Sequence, residues 1–196
     1  MGVGRIVWAG ALAAGACAIG LGAIKGEDGP EVDRELFEIV NRGHGDRADR
    51  LFTGITELGS YYAAGSAAAT LAVTGRRGAA LRALGAATAT WLLLQGIKRI
   101  VDRPRPSDTD PEGTRMLIAR PNGKSWPSSH PAMLTTFTRV AARELGLRPS
   151  SCAALSALDV TVAVSRVYVG VHYPSDVASG LLLGRAMARL WPRGRS

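Results

Sequence analysis

Residues 6–24, Ile6 to Ile24, contain no charged side chain across 19 positions and are bounded by Arg5 and Lys25. A backbone in hydrocarbon must satisfy its own polar groups, so such a run folds as a helix. At 1.5 Å per residue it is about 28 Å long, close to the thickness of a bilayer core. A cleaved signal peptide is the alternative, because Ala14-Gly15-Ala16 looks like a small-residue cleavage site. The further apolar runs downstream favour a retained span.

Those runs cover Tyr61 to Val73, Ala79 to Ile97, Pro131 to about Leu147, Ser151 to Arg166, and Ser175 to Trp191. The expected fold class is all-α: a polytopic membrane bundle of about six transmembrane helices forming one domain over residues 1–196. Spans four and five are weak by hydropathy, because they contain Arg139, Arg143, Glu144 and Asp159. A polar insertion at 26–58 repeats apolar residues at helical spacing, in Val32, Leu36, Ile39 and Val40 and again in Ala48, Leu51, Phe52, Ile55 and Leu58. Short amphipathic helices are expected there. Asn41 to Gly45 separates them and leaves His44 as a solvated loop histidine. Gly180-Leu-Leu-Leu-Gly184 reads as a close-packing face of the last span.

The net charge of +8 is distributed between apolar runs and not along one face, which points to membrane topology and away from nucleic acid. Arg5, Arg76, Arg77, Arg82, Arg143, Arg148, Arg185, Arg189, Arg193 and Arg195 fall on one side of the expected bundle. The positive-inside rule makes that side cytoplasmic. Cys17 and Cys152 show no paired-ligand spacing and read as small core residues. Two charges inside spans, Arg139 about 12 Å and Asp159 about 10 Å below the outer ends, lie at similar depth. An ion pair between them is expected; the alternative has Asp159 protonated or bonded to a hydroxyl such as Thr161 or Thr136.

The segment 98–176 contains the chemistry. It holds Lys98 followed seven residues later by Arg105-Pro106, then Trp126-Pro-Ser-Ser-His-Pro131, then Ser165-Arg166, His172 and Asp176. All three clusters fall on the side opposite the cytoplasmic arginines. Arginine binds phosphate through a planar, permanently charged fork, and Lys98 adds a point charge. Arg99, Arg103 and Lys124 serve equally well as interfacial anchors. A helix starting at Pro131 would aim free N–H groups at an anion from Ser128 and Ser129. The residue before a proline is pushed towards extended geometry, which would set the His130 ring beside that anion. Asp176, four residues after His172, is within reach of its imidazole.

This set resembles the signature of the type 2 phosphatidic acid phosphatase superfamily, which includes bacterial undecaprenyl-diphosphate and phosphatidylglycerophosphate phosphatases. The resemblance implies that His172 is the nucleophile, oriented by Asp176, and that His130 is the general acid and base. Lys98, Arg105, Arg166, Ser128 and Ser129 would bind phosphate, the two serines through their backbone N–H groups. No metal and no cofactor are implied. The partners would be a lipid phosphate or diphosphate and the surrounding membrane lipids, with self-association open. The family pattern carries glycine where this chain has Ser129. The expected activity is polyprenyl-diphosphate hydrolysis on the outer face of a plasma membrane, with phosphatidylglycerophosphate, phosphatidic acid or prenyl-phospho-sugars as other substrates. Phosphotransfer to a lipid or sugar acceptor is a second class. A lipid-phosphate binding or transport protein would need the cations but not the His172–Asp176 pair.

Overall fold

The computed structural model describes residues 3–24 and 31–194. Its helices are α1 (Val3–Ile24), α2 (Glu31–Asn41), α3 (Asp46–Thr56), α4 (Tyr61–Val73), α5 (Arg77–Ile100), the single turn α6 (Pro106–Thr109), α7 (Ser129–Glu144), α8 (Pro149–Tyr168) and α9 (Pro174–Leu190). Residues 25–30, at the start of the expected insertion, and Arg195 lie outside the described residues. The insertion otherwise forms the two expected amphipathic helices, α2 and α3, ending in a 3₁₀ turn at Glu57–Gly59.

Helix α7 stands at the centre and packs against α5, α8 and α9, while α1 lies against α9 and α4 against α5. The α7–α9 contact is close because α9 presents glycine. A Cβ on Gly180 would sit 2.5 Å from the Ser128 carbonyl oxygen, and one on Gly184 would sit 2.5 Å from that of Ala132. The α4–α5–α7 contact is made largely of alanine, with Phe137 and Val140 filling the remaining space. Small residues let helix backbones approach where dispersion, and not water exclusion, provides the attraction.

Among the described residues, two helices are long and apolar enough to cross a membrane unaided, α1 over Val3–Gly22 and α8 over Pro149–Tyr168. Six were expected, and α8 was expected to be weak. The shortfall is first one of length, since α4, α7 and α9 have 13, 16 and 17 residues, while the 24-residue α5 carries Arg77, Arg82, Lys98 and Arg99. In α7 the composition is polar as well. Its polar residues face protein: Thr136 donates to the carbonyls of Ala132 and Gly184, and Thr138 donates to Asp159. Large apolar side chains such as Val7, Leu21, Tyr62, Val73, Leu81, Leu92 and Val160 instead point outward. An exposed apolar band of this kind suits a lipid solvent.

Several local expectations change. Helix α7 begins at Ser129, two residues before Pro131, so His130 is helical and not extended. Pro131 is tolerated there because first-turn N–H groups have no partner within the helix. Helix α8 begins at Pro149, and α5 runs on to Ile100, which places Lys98 in a helical last turn. Asp159 takes the Thr138 hydroxyl at 3.1 Å, while Arg139 reaches the Ser156 hydroxyl at 3.4 Å. No ion pair joins them among the described residues; the hydroxyl of Thr138, the residue before Arg139 on α7, meets the carboxylate across the helix contact instead. Thr136 and Thr161 bond to backbone carbonyls of their own helices instead. Cys17 is exposed on α1 and Cys152 only half-buried, so neither is a core residue.

The arginine-rich end closes on itself. Arg5 donates to the carbonyls of Arg189 and Trp191 at the end of α9, Arg143 to those of Ala188 and Pro192, and Arg82 pairs with Glu144 at 3.1 Å. Cations there complement the negative end of the α9 dipole. The other end gathers the last turns of α5 and α8 and the first turns of α7 and α9.

Gly184→Val is expected to wedge α9 from α7 and to cost about 1–3 kcal/mol through overpacking. A lowered melting temperature in detergent would show it. Gly65→Ala, with open space around its Cα, should leave the melting temperature unchanged or slightly raised.

Candidate active site

Pro174 starts α9, and Asp176 occupies the third position of its first turn. The Asp176 carboxylate reaches back to the Tyr173 N–H at 2.9 Å, a capping contact that also fixes the side chain. It has no solvent exposure. Its Oδ2 accepts the Ser125 hydroxyl at 2.5 Å and lies 3.4 Å from Nδ1 of His172. Oδ1 accepts Nη1 of Arg103 at 2.5 Å. Ser125 Oγ also stands 3.3 Å from His172 Nδ1. One face of the imidazole is thus tied to a carboxylate and a hydroxyl, and Nε2 faces the other way.

On that other side Arg105 Nη1 lies 3.4 Å from His172 Nε2 and donates to the Val171 carbonyl at 2.7 Å. Arg105 is 2% exposed, and its Nε is held by the Gly123 carbonyl at 3.0 Å. Lys98 Nζ donates to the Lys124 carbonyl at 3.0 Å. Arg166, also buried, donates from Nη1 to Thr56 Oγ1 of α3 at 2.8 Å, and its Nε has no partner among the described residues. His130 lies beneath Gly59, where a Cβ would meet its ring carbon at 3.2 Å. Burial, then Lys98, Arg105, Arg166 and His130, hold the His172 imidazole well below its usual value. It is therefore neutral at neutral pH, with a lone pair available on one nitrogen.

The second motif is arranged differently from expectation. The Ser128 N–H donates to the Asp176 carbonyl oxygen at 3.1 Å and is not free for an anion. Ser128 Oγ is buried without a partner among the described residues, as is Trp126 Nε1. The first-turn N–H groups of Ser129 and His130 have no acceptor within α7. Trp126 packs on Gly20 of α1, which ties the first span to this loop.

Sequence reasoning missed three participants. Ser125 lies one residue before Trp126 and carries no motif signal of its own. Arg103, read equally as an anchor, is 4% exposed and bridges Asp176 to Asp33 of α2. Asp33 is 143 positions from Asp176 in the chain. By contrast, Arg99 is exposed and Lys124 pairs with Asp102.

The chain belongs to the PAP2 superfamily. Its sequence profile, described as the PAP2 superfamily, matches residues 79–195. The decaprenylphosphoryl-5-phosphoribose phosphatase of Mycobacterium tuberculosis is 36% identical over 94 residues, 48% of this chain and 49% of that protein. The undecaprenyl-diphosphatase of Sulfolobus acidocaldarius is 40% identical over 72 residues, 36% of this chain and 34% of that protein. The match thus spans about half, or less, of the length of these curated relatives. Among solved structures, Aquifex aeolicus LpxE superposes with a TM-score of 0.73 at 26% identity, covering 81% of this chain and 93% of the other. The first transmembrane PAP2 type phosphatidylglycerolphosphate phosphatase from Bacillus subtilis also superposes at 0.73, with 21% identity and 91% of each chain covered, which speaks for the fold. PAP2 membership, with two helices long and apolar enough to cross a bilayer, supports a membrane location.

Helix α3 is clamped over the site by Asp49, which accepts the Tyr168 hydroxyl at 2.7 Å and pairs with Arg115 at 2.9 Å. His44, exposed as expected, stacks on the same Tyr168 ring at 5.8 Å. The Tyr168 hydrogen bond, more than Arg115, pulls Asp49 below its ordinary value of 3.8. The clamp's contribution is therefore complete above that value and is lost as pH falls through the lower, folded one. In Tyr168→Phe the folded value moves back up, so α3 should loosen at a higher pH than in the wild type. Amide exchange along α3 during acidification checks this.

Proposed function

We propose that this PAP2 protein is a multi-pass plasma-membrane phosphatase, acting as one domain with residues 98–176 as its catalytic segment. Its substrates would be polyprenyl-linked phosphates or diphosphates at the extracytoplasmic surface, hydrolysed through a phosphohistidine. The observation that carries the reading is the orientation of His172. Its Nδ1 faces Asp176 and Ser125, and its Nε2 faces the cations. A binding protein has no need of a buried, neutral imidazole held in this way.

In the first step His172 Nε2 attacks phosphorus while the bond to the leaving oxygen breaks. His130, at the head of α7, donates a proton to that oxygen. Lys98, Arg105, Arg166, the Ser128 hydroxyl and the Ser129 N–H hold the remaining oxygens as charge builds on them. The ring now carries positive charge, which Asp176 stabilises. In the second step His130, deprotonated, takes a proton from water. The water oxygen attacks phosphorus, and the P–N bond breaks to return phosphate and neutral His172. Ser129, where the family pattern has glycine, would narrow this end of the cradle or add a hydroxyl donor to it. The polyprenyl preference is supported by the names of the two curated relatives.

His172→Ala should lower phosphate release by about 10³-fold or more while leaving lipid-phosphate binding largely in place, since the cationic cradle is untouched. Release by purified protein in detergent, across a panel of lipid phosphates and diphosphates, checks both the mechanism and the preference. Turnover within about tenfold of wild type would exclude the covalent route.

For sidedness, Thr109 and Gly78 are both exposed, at opposite ends of the bundle. With Cys17 and Cys152 replaced, a cysteine at Thr109 should react with an impermeant thiol reagent in intact cells, and one at Gly78 should not. Labelling in the reverse order would put the site on the cytoplasmic side.

A further inference from the structure

Asp33, Arg103 and Ser175 form a buried cluster behind the dyad that the mechanism above leaves without a role. The Arg103 fork divides between two carboxylates. Nη1 reaches Asp176 Oδ1 at 2.5 Å and Ser175 Oγ at 2.6 Å, and Nη2 reaches Asp33 Oδ2 at 2.6 Å. Asp33 also accepts the Ser175 N–H at 2.8 Å and the Ser175 hydroxyl at 2.5 Å. It thereby caps α9, the helix that carries Asp176, from a different helix. The guanidinium lies 4.5 Å from the centre of the Tyr173 ring, which in turn packs on Phe37 of α2 at 5.6 Å. Arg103 and Asp33 are 4% and 7% exposed.

We propose that Arg103 and Asp33 are positioning residues of the active site, acting on His172 through the chain Asp33–Arg103–Asp176–His172. The proposal rests on the phosphohistidine reading above. The two oxygens of Asp176 have separate tasks. Oδ2 faces the imidazole, Ser125 and the Tyr173 N–H, while Oδ1 faces Arg103. The arginine therefore draws charge from the same carboxylate that must steady the ring, and Asp33 in turn draws on the arginine. Burial opposes the charge on Arg103, yet Asp176 and Asp33 raise it above its ordinary value, so the fork stays charged.

The electrostatic consequence has a sign. The groups facing His172 are Lys98 from α5, Arg105 from the following loop, His130 from α7, Arg166 from α8 and Asp176 from α9, with Tyr173 beside it. Arg103 and Asp33 act one bond further out. Arg103 keeps Asp176 from charging the imidazole before phosphate arrives, which preserves the nucleophile. Asp33 keeps Arg103 from neutralising Asp176 altogether, so that charge remains for the ring when the P–N bond forms. Helix α2, in the polar insertion, is by this account part of the catalytic apparatus.

Charge removal at the two positions must move His172 in opposite directions. The experiment follows the titration of the His172 ring by NMR on isotope-labelled histidine in detergent, with His44→Gln to thin the signals, alongside kcat and KM on a lipid phosphate. Arg103→Met is expected to raise the His172 midpoint and Asp33→Asn to lower it. Each should lower kcat by roughly 10- to 100-fold, as when a ligand's orienting partner is lost, with KM within about threefold. Arg103→Lys, which keeps the charge but not the fork, should hold the midpoint near wild type and restore part of kcat. Midpoints that stay still or move together in folded variants, or an unchanged kcat, would overturn the proposal. If Arg103→Met does not fold, Asp33→Asn and Arg103→Lys carry the same test. If wild type releases no phosphate from any substrate, the hydrolase reading fails, and the opposed midpoint shifts still decide whether the chain of charges exists.

Discussion

A carboxylate without solvent exposure must find a donor for each oxygen, and Asp176 finds them in Arg103, Ser125 and the Tyr173 N–H, with His172 Nδ1 at 3.4 Å. Those donors come from the 98–128 loop and from the turn before α9. The carbonyl of the same residue takes the Ser128 N–H, which binds the start of α7 to the start of α9. The glycine face of α9 allows this approach, because any side chain at Gly180 would strike the Ser128 carbonyl. Helix packing and active-site geometry are therefore one constraint. Removing a partner from a buried ionic contact typically costs about 3–5 kcal/mol, more than most helix contacts provide.

The remaining elements secure that junction from outside. Helix α1 supports Trp126 with Gly20, α2 supplies Asp33, and α3 holds Arg166 through Thr56. Asn41, at the end of α2, donates to the carbonyls of Arg115 and Tyr168 and accepts the Arg115 N–H, which fastens the insertion to the long loop and to α8. Polar residues that would be costly in lipid are thus satisfied within the protein, and the apolar side chains are released to the outer surface.

The three motif clusters were legible because their chemistry is dense and local: a histidine four residues from an aspartate across a helix start needs no distant partner to be recognised. The structure brings Lys98, Arg105, His130 and Arg166 close enough to act on the His172 imidazole, sets Asp176 at its Nδ1, and joins the Ser128 N–H to the Asp176 carbonyl. The role expected of the Ser128 N–H did not hold, because helix α7 starts two residues early and the N–H meets a carbonyl from α9. The number of spans was less legible. Apolar runs in the sequence do not fix where a helix ends: α4, α7 and α9 close at 13, 16 and 17 residues, short of a bilayer core, and α5 is long enough but carries four basic side chains.

From the sequence alone followed the helical class, the limits of α4, the amphipathic character of α2 and α3, the close-packing glycines of α9 and the segment that holds the reactive residues. Each is a property of spacing along one helix or one turn. Tertiary structure alone decided that Arg103 bridges Asp33 to Asp176, that the Ser125 hydroxyl stands at His172 Nδ1, and that Asp159 takes Thr138 in place of Arg139. These depend on which faces meet between elements far apart in the chain. Side-chain reach and backbone separation at the contact, and not residue type, select the partner.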